Sequence, residues 1–251
     1  MKTALITGAT SGIGEATAKL LAKNNFNLII TGRRNERLER IKNEIKQESS
    51  VEVLTLNFDV RFIDQVRKHL KKLPEQWQKI DVLVNNAGLA AGTSTIDKGE
   101  IDDWEQMIDT NLKGLLYVSK LIMPLMIARQ KGHIINISSI AGKEVYLNGN
   151  VYCATKQAVD ALSKAMRIDL LPHNIKVTNI APGMAETEFS VVRYKGDRKQ
   201  AAAVYSAMQP LLAKDIAEVI LFAIQRPAHV TLNDIVIMPT AQANTSHLVR
   251  K

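Results

Sequence analysis

Tyr152 and Lys156 lie four positions apart in a stretch whose pattern predicts a helix over Val151–Leu171. Side chains four apart on a helix share one face. A free tyrosine hydroxyl has a pKa of about 10, and a nearby ammonium or cationic ring stabilises its phenolate. A shift to about 7 requires roughly 4 kcal/mol. The pair is typical of a general acid–base, although an amphipathic helix with an outward-reaching lysine has the same spacing.

A glycine-rich turn follows the first predicted strand, Thr3–Thr7, and precedes a helical pattern. Its glycines are spaced Gly-x-x-x-Gly-x-Gly, not the more usual Gly-x-Gly-x-x-Gly. A strand, a glycine turn and a helix together point free backbone N–H groups at a phosphate, and glycine lets the backbone approach it closely. The pattern favours a dinucleotide site over a purely structural turn. The residues predicted to contact the dinucleotide here are Gly8, Thr10, Ser11, Gly12, Ile13 and Gly14.

Two arginines, Arg33 and Arg34, follow the second predicted strand, Asn27–Thr31. An acidic residue is expected about twenty positions after the glycine turn when the adenosine ribose has a free 2′-hydroxyl. A guanidinium instead suits a 2′-phosphate through bidentate, charge-assisted bonds. The two arginines therefore predict NADP and not NAD. The alternative, two solvated arginines at a helix start, is disfavoured because cations there oppose the helix dipole.

Strands and helices alternate along the whole chain, which predicts right-handed βαβ units. The further predicted strands are Val51–Asn57, Asp81–Val84, Gly132–Ser138, Ile175–Ile180 and Ile235–Met238. The further predicted helices are Asn35–Glu48, Arg61–Leu73, Ile101–Ala128 and Lys214–Arg226. We therefore expect an α/β fold, a single-domain doubly wound Rossmann fold over residues 1–251. Its parallel sheet should have about seven strands, with helices on both faces.

Ligands of such sheets bind beyond the carboxyl ends of the strands. The cofactor contacts predicted at these ends are Asp59, Val60, Asn86, Ala87 and Gly88. Ser139 follows the fifth strand. Asn111 lies inside a predicted helix, where asparagine is a poor helix former. Its position there indicates either a functional role or an exposed helix face. The segment 184–210 has a loose, polar pattern that predicts an irregular lid or substrate loop.

The composition limits the classes of partner. One cysteine excludes an internal disulfide framework and indicates a reducing, cytoplasmic setting. The five histidines lack metal-ligand spacing, so we expect no metal. No apolar run reaches the roughly 18–20 residues of a membrane span, so we expect no membrane association. The net charge of +8 is interleaved with acidic residues, which favours solvated helix faces and an anionic ligand over nucleic acid.

Together these motifs resemble the short-chain dehydrogenase/reductase family over essentially the whole chain. The matching residues are Thr7 to Gly14, Asp59, Asn85 to Gly88, Asn111, Ser139, Tyr152, Lys156, Pro182, Gly183 and Thr187. The resemblance implies an NADP-dependent oxidoreductase that transfers hydride between the nicotinamide and an alcohol or carbonyl.

The resemblance also implies roles for single residues. Tyr152 would be the acid–base and contact the substrate, and Lys156 would lower the tyrosine pKa and bind the nicotinamide ribose. Ser139 would hydrogen-bond the reacting oxygen, and Asn111 would hold a water that relays protons. The residues that would hold the nicotinamide end are Pro182, Gly183 and Thr187.

Three stretches carry a closer resemblance, Thr187–Asp197, Arg226–Val230 and Met238–Thr240. These stretches are similar to the NADP-dependent 3-hydroxy acid dehydrogenase branch, which oxidises serine, L-allo-threonine and other small 3-hydroxy acids. A substrate carboxylate needs a cationic partner, for which Arg193 is the candidate; a salt bridge from the lid to the body is the alternative role. The resemblance to the family also implies a homotetramer built through the helices near 101–128 and 152–171.

Other functions remain open at this stage. The same catalytic set serves broad carbonyl reductases and reductases of 3-oxoacyl thioesters, steroids or sugars. A module that senses NADP without turnover is the non-enzymatic alternative, but such a module has no need for Ser139, Tyr152, Lys156 and Asn111 together.

Overall fold

The computed structural model describes residues 1–251, and a seven-stranded parallel sheet forms its centre. The predicted sheet is thereby confirmed in strand number and direction. Its aliphatic runs are short and bounded by turns, a pattern suited to strands buried on both faces. The strands of the central sheet are β1 (Lys2–Ile6), β2 (Phe26–Gly32), β3 (Val53–Asn57), β4 (Val82–Asn85), β5 (Gly132–Ile137), β6 (Ile175–Pro182) and β9 (Asp234–Ile237).

The spatial order of the strands is β3-β2-β1-β4-β5-β6-β9. β1 pairs with β2 on one side and with β4 on the other, so Leu5 lies between Ile29 and Leu83. The strand order therefore reverses between β1 and β4. In doubly wound sheets the ligand crevice opens at this switch point, outside the carboxyl ends of the strands.

Helices cover both faces of the sheet, as predicted. Alternate side chains of each strand point to opposite faces, so Ile6 joins the core on one face of the sheet and Leu5 joins the core on the other. The helices are α1 (Gly12–Lys23), α2 (Asn35–Glu48), α3 (Ile63–Leu70), α4 (Ile101–Ile108), α5 (Leu115–Ala128), α6 (Asn150–Asp169), α7 (Glu188–Arg193), α8 (Arg198–Ala203) and α9 (Ala213–Ile224). The two cores hold the strand ends rigidly beneath the cleft.

A π-helical turn, Asp109–Gly114, separates α4 from α5. The predicted helical stretch Ile101–Ala128 is confirmed, with this π turn inside it. Asn111 lies in the turn and bonds to the backbone of Leu89 on the neighbouring loop. These side-chain bonds offset the poorer backbone geometry, and π turns are frequent at functional sites.

The segment 184–210 is more regular than predicted. It contains the strand β7 (Ala185–Glu186) and the helices α7 and α8, and β7 pairs in parallel with β8 (Leu211–Leu212). Thr187 caps α7 by accepting from the Phe189 N–H at 3.2 Å, and Asp197 caps α8. The prediction of an irregular segment was wrong because short helices of this kind depend on their caps more than on apolar periodicity.

The stretch Ile101–Ala128 is long and apolar enough, by length and composition alone, to cross a membrane. The expectation concerned uninterrupted apolar runs, and Lys113 and Lys120 interrupt this stretch. Val118, Ile122 and Met126 on this stretch are fully buried in the core under the sheet. Burial against protein on one side is the pattern of a core helix, so the stretch gives no support to a membrane span.

Candidate active site

The carboxyl ends of the central strands open into a cleft of about 520 Å³, a volume within the usual range for cofactor and ligand sites. The predicted residues that line it are Gly8, Thr10, Ser11, Gly12, Ile13, Arg33, Arg34, Asp59, Val60, Asn86, Ala87, Gly88, Ser139, Tyr152, Lys156, Pro182, Gly183, Thr187 and Arg193. Gly14 and Asn111 lie behind the cleft wall. The structure thus brings almost the whole predicted set to one place.

Glycine is required twice in the turn after β1. Gly12 has a φ of +55°, and a Cβ there would lie 3.2 Å from the Cβ of Thr187. A Cβ on Gly14 would approach the carbonyl oxygen of Gly8 to 2.4 Å, so only glycine lets α1 begin so close to the turn. The start of α1 therefore borders the cleft, where a helix N-terminus favours a pyrophosphate.

Polar residues after β3 and β4 line the cleft beside this turn. The Asn86 side-chain amide donates to the carbonyl oxygens of Thr7 and Gly8 at 2.9 and 3.1 Å. The Asp59 carboxylate accepts two bonds from the Arg61 guanidinium, at 2.9 and 2.7 Å. Both residues were expected to contact adenine or the cofactor backbone, and both also form part of the wall that such a group would meet.

The two arginines border the rim beside the glycine turn. Arg34 donates from Nη2 to the hydroxyls of Thr10 and Ser11, each at 2.8 Å. Arg33 is more exposed, and its Nη1 lies 3.9 Å from the Asp59 carboxylate. The guanidiniums therefore stand where the sequence pattern places a 2′-phosphate, and Arg34 is already oriented by the turn that would hold the pyrophosphate.

Tyr152 and Lys156 lie on the buried face of α6, one turn apart. The Lys156 Nζ is 6.0 Å from the centre of the Tyr152 ring and donates to the carbonyl oxygen of Ile137 at 2.9 Å. Burial lowers the pKa of Lys156 to about 8. A Cβ on Gly88 would lie 3.2 Å from this Nζ, so glycine leaves room for the ammonium at the cleft floor.

Burial dominates the acidity of Tyr152 in the protein itself. It raises the pKa of the hydroxyl above its ordinary value, and the neighbouring phenol of Tyr146 adds to this. Ser139 and Arg193 lower the pKa, but by less. The protein groups alone therefore keep Tyr152 protonated at neutral pH.

Ser139 lies at the end of β5 with its hydroxyl partly free. Its Oγ accepts from the Ala141 N–H at 3.1 Å and makes only a long bond, 3.4 Å, to the carbonyl oxygen of Pro182. A hydroxyl with so weak an acceptor can turn its proton toward a substrate oxygen.

Asn111 is held firmly beside the catalytic helix. Its Nδ2 donates to the Leu89 carbonyl oxygen at 2.8 Å and to Thr155 Oγ1 at 3.0 Å, and its Oδ1 accepts from the Leu89 N–H at 2.8 Å. Both amide hydrogens are therefore used, and the side chain can offer a water only an acceptor site.

Arg193, the last residue of α7, reaches over the tyrosines. Its Nη1 donates to the Tyr146 hydroxyl at 2.8 Å, and its guanidinium lies 6.0 Å from the Tyr152 ring centre. The buried Nε has no partner. Arg193 forms no salt bridge, whereas Lys195 pairs with Asp103 at 2.9 Å. The alternative role of Arg193 as a lid-to-body salt bridge is therefore wrong.

Several lining residues were missed from the sequence. Tyr146 and Glu188 contact the arginines, and the buried Gln242 accepts from the Met184 N–H at 2.8 Å behind Gly183. No local pattern marks Tyr146 or Gln242, because each acquires its position from a distant part of the chain. Glu188 could have been found, because it follows the predicted Thr187 and its negative charge complements the predicted rim arginines.

Comparison with known proteins decides the family. The family model described as short chain dehydrogenase matches residues 2–197. The chain belongs to the short chain dehydrogenase family. The predicted family is thereby confirmed, and family membership extends over most of the sheet and the whole Tyr152–Lys156 helix.

Full-length relatives within the family are numerous. The NADP-dependent 3-hydroxy acid dehydrogenase YdfG of Salmonella typhi is 45% identical over 240 residues, 95% of each chain. The NADP-dependent 3-hydroxy acid dehydrogenase of Schizosaccharomyces pombe is 42% identical over 251 residues, which cover all of this chain and 97% of that one. The relatives thus match the chain beyond the region of the family model.

Solved structures give the same result for the fold. The closed form of a serine dehydrogenase complexed with NADP⁺ has a TM-score of 0.93 at 41% identity and covers 99% of both chains. The serine dehydrogenase of Escherichia coli has a TM-score of 0.83 at 38% identity, covering 96% of this chain and 99% of that one. Two features of the cleft in this protein fit NADP. The glycine turn leaves space that a Cβ would fill, and two guanidiniums lie on the rim.

Proposed function

We propose that this protein is an NADP-dependent dehydrogenase of small 3-hydroxy acids, such as serine or L-allo-threonine, which it interconverts with the corresponding carbonyl compounds. The observation that carries the proposal is the Arg193 guanidinium, which has no acidic partner and stands 6.0 Å from the Tyr152 ring in the cleft. The predicted oxidoreductase class and its NADP cofactor agree with the names of the full-length relatives.

Tyr152 and Ser139 act on the reacting oxygen. In oxidation, the Tyr152 phenolate accepts the alcohol proton, and in reduction the hydroxyl returns it. The Ser139 hydroxyl, which makes only a long bond to Pro182, donates a hydrogen bond to the same oxygen and stabilises the charge that develops there. The bound cofactor would supply the hydride chemistry, NADP⁺ as acceptor in oxidation and NADPH as donor in reduction.

Lys156 and Asn111 support the tyrosine. Lys156 uses one hydrogen on Ile137, so two remain for the hydroxyls of the nicotinamide ribose. Its positive charge stabilises the phenolate when Tyr152 loses its proton. Asn111 keeps one acceptor site for a water that carries the proton between Lys156 and solvent, since a Cβ on Gly88 would meet both Asn111 Oδ1 and Lys156 Nζ.

The substrate class follows from Arg193. A guanidinium binds a carboxylate through charge-assisted bonds, and the Tyr146 hydroxyl, which accepts from Arg193, keeps its own proton for a second bond. A 3-hydroxy acid places its carboxylate two carbons from the reacting carbon, within reach of both groups. Neutral carbonyl compounds lack this anchor and should be poorer substrates.

The test is NADP-linked turnover of 3-hydroxybutyrate beside its uncharged isostere 3-hydroxybutyramide, with L-serine and L-allo-threonine as further substrates. We expect the acid to have the higher kcat/KM by at least about ten-fold, the effect of one charge-assisted bond. Equal values for acid and amide would contradict the assignment to hydroxy acids. Absence of turnover with all the acids would reject the substrate class altogether.

Assembly and setting complete the proposal. We infer a homotetramer, because α4, α5 and α6 expose Ile101, Leu116 and Ile168 at 65%, 37% and 74%. Light scattering should give a mass four times the chain mass of 27.8 kDa, and a monomer mass would contradict this.

We also propose one domain over residues 1–251 and a cytoplasmic setting, which the buried free Cys153 supports. A single cooperative unfolding transition tests the one-domain proposal.

A further inference from the structure

Glu188, the first residue of α7, connects the segment 184–210, here named the lid, to the arginines of the cofactor rim. Its Oε2 accepts from Arg34 Nη1 at 2.8 Å, and its Oε1 accepts from Arg37 Nη1 at 2.7 Å. The other side of the Arg34 guanidinium binds Thr10 in the glycine turn. A single guanidinium therefore joins the lid to the turn that holds the cofactor.

The charges of this cluster match a phosphate. Arg33, Arg34 and Arg37 bring three positive charges and Glu188 brings one negative charge, while Asp59 already has its own guanidinium partner. The remaining charge of +2 offsets a phosphate monoester, which carries about −2. Burial raises the pKa of the Glu188 carboxyl, but the bonds from the two arginines outweigh it and hold the pKa below its ordinary value.

The same short helix carries a substrate-facing residue at its other end. α7 runs from Glu188 to Arg193, so the position of its first residue fixes the direction in which the last one reaches. The Arg193 carbonyl oxygen also accepts from the Gly92 N–H at 3.1 Å, which seats this end on the loop after β4. Release of Glu188 would remove the ion pairs that hold the first turn of α7 to the rim, while Phe189 and the Arg193 end would stay packed on the body.

We propose that Glu188 is a positioning residue that fastens the lid to the 2′-phosphate site, with Arg37 as its dedicated partner and Arg34 shared between lid and phosphate. The inference rests on the proposed NADP dependence. Closure of the lid over the substrate and binding of the phosphate then use the same cluster of charges. Loss of Glu188 should loosen Arg193 over the substrate, yet leave more positive charge for the phosphate.

Glu188→Gln tests this through two measurements that should move in opposite directions. We expect the KM for 3-hydroxybutyrate to rise by up to about five-fold, the upper end for ion pairs of this exposure. The Kd for NADPH, from fluorescence titration, should fall about three-fold, because one carboxylate beside the phosphate is gone. Arg37→Gln should raise the same KM but weaken NADPH binding, because Glu188 then competes with the phosphate for Arg34.

Lys195→Gln is the matched control. It removes the ion pair with Asp103, 2.9 Å long, at the far end of α7 and away from the rim arginines. We expect it to raise the KM for the acid and to leave the Kd for NADPH unchanged. Tighter NADPH binding in Lys195→Gln would assign the effect to general loosening of the lid and overturn the role of Glu188.

The outcomes also separate this inference from the proposed function. An unchanged KM in Glu188→Gln, or weaker NADPH binding, would overturn the role of Glu188 while the wild-type enzyme still turns over hydroxy acids. A wild-type protein that does not bind NADPH in the same titration would instead reject the proposed cofactor, and the inference with it.

Discussion

Replacement of both rim arginines, Arg33→Ala with Arg34→Ala, should remove most of the preference for NADP over NAD. Arg34 is oriented by Thr10 and Ser11, so little freedom is lost when its guanidinium meets a phosphate. Arg33 is held only by a 3.9 Å contact to Asp59 and can move. Arg34 should therefore contribute the larger share.

The size of the effect follows from the exposure of the two side chains. Charge-assisted hydrogen bonds contribute about 1.5–3 kcal/mol when well buried. The side chains of Arg33 and Arg34 are 52% and 42% exposed, so the lower end applies. We expect about 1.5 kcal/mol, or about ten-fold, for Arg34 alone and up to about a hundred-fold for the pair.

The assay is the ratio of kcat/KM for NADP to that for NAD with one hydroxy acid. Loosening of the glycine turn affects both cofactors and cancels in the ratio. Arg40→Ala is the control, because Arg40 lies on α2, the helix that follows Arg34, but binds Glu15 and Glu44 away from the cleft. A ratio that stays within about two-fold of wild type in the double variant would refute the phosphate role.

Further predictions concern the substrate, the reaction and the fold. Arg193→Lys should raise the KM for 3-hydroxybutyrate at least about ten-fold, because a bidentate contact is lost; an equal rise for 3-hydroxybutyramide would contradict its role. Because burial raises the pKa of Tyr152, oxidation, which needs the phenolate, should accelerate with rising pH and reduction should slow; fastest oxidation in acid would be inconsistent with this. Burial lowers the pKa of His133 to about 3 from an ordinary value of 6.5, so the unfolded chain binds the extra proton between these values. The free energy of unfolding should therefore fall as pH drops through that window, by at most about 1.4 kcal/mol per pH unit for this group. His133→Gln should flatten this slope in chemical denaturation, whereas the exposed His229→Gln should leave it unchanged; identical slopes in all three proteins would reject the assignment.

The fold and the cleft floor were predictable because they depend on local patterns. Parallel strands end at the same edge of a sheet, so Gly8, Asn86 and Ser139, each at the end of a strand, had to meet there. The spacing of Tyr152 and Lys156 on one helix fixes their common face in the same way. Short-range rules therefore sufficed for these residues.

The rest of the site depends on contacts that no local pattern encodes. The bond between Glu188 and Arg34 joins residues 154 positions apart, and the bond between Tyr146 and Arg193 joins residues 47 apart. The π turn at Asn111 is likewise selected by a neighbouring loop and not by helix propensity. The raised pKa of Tyr152 in the protein alone could not be predicted either, because burial follows from the packed structure and outweighs the nearby charges.

The most direct test of the central claim is the single-turnover rate of NADP reduction by a 3-hydroxy acid in wild type and in Tyr152→Phe, with NADPH binding measured on both. Phenylalanine keeps the ring that packs against Phe189, 5.5 Å away between centres, and removes only the hydroxyl. We expect wild type to reduce NADP and the variant to be slower by about 100- to 10,000-fold, the range for a general acid–base, with NADPH affinity unchanged. A variant that turns over at a near wild-type rate would contradict the role of Tyr152 and the account of this site.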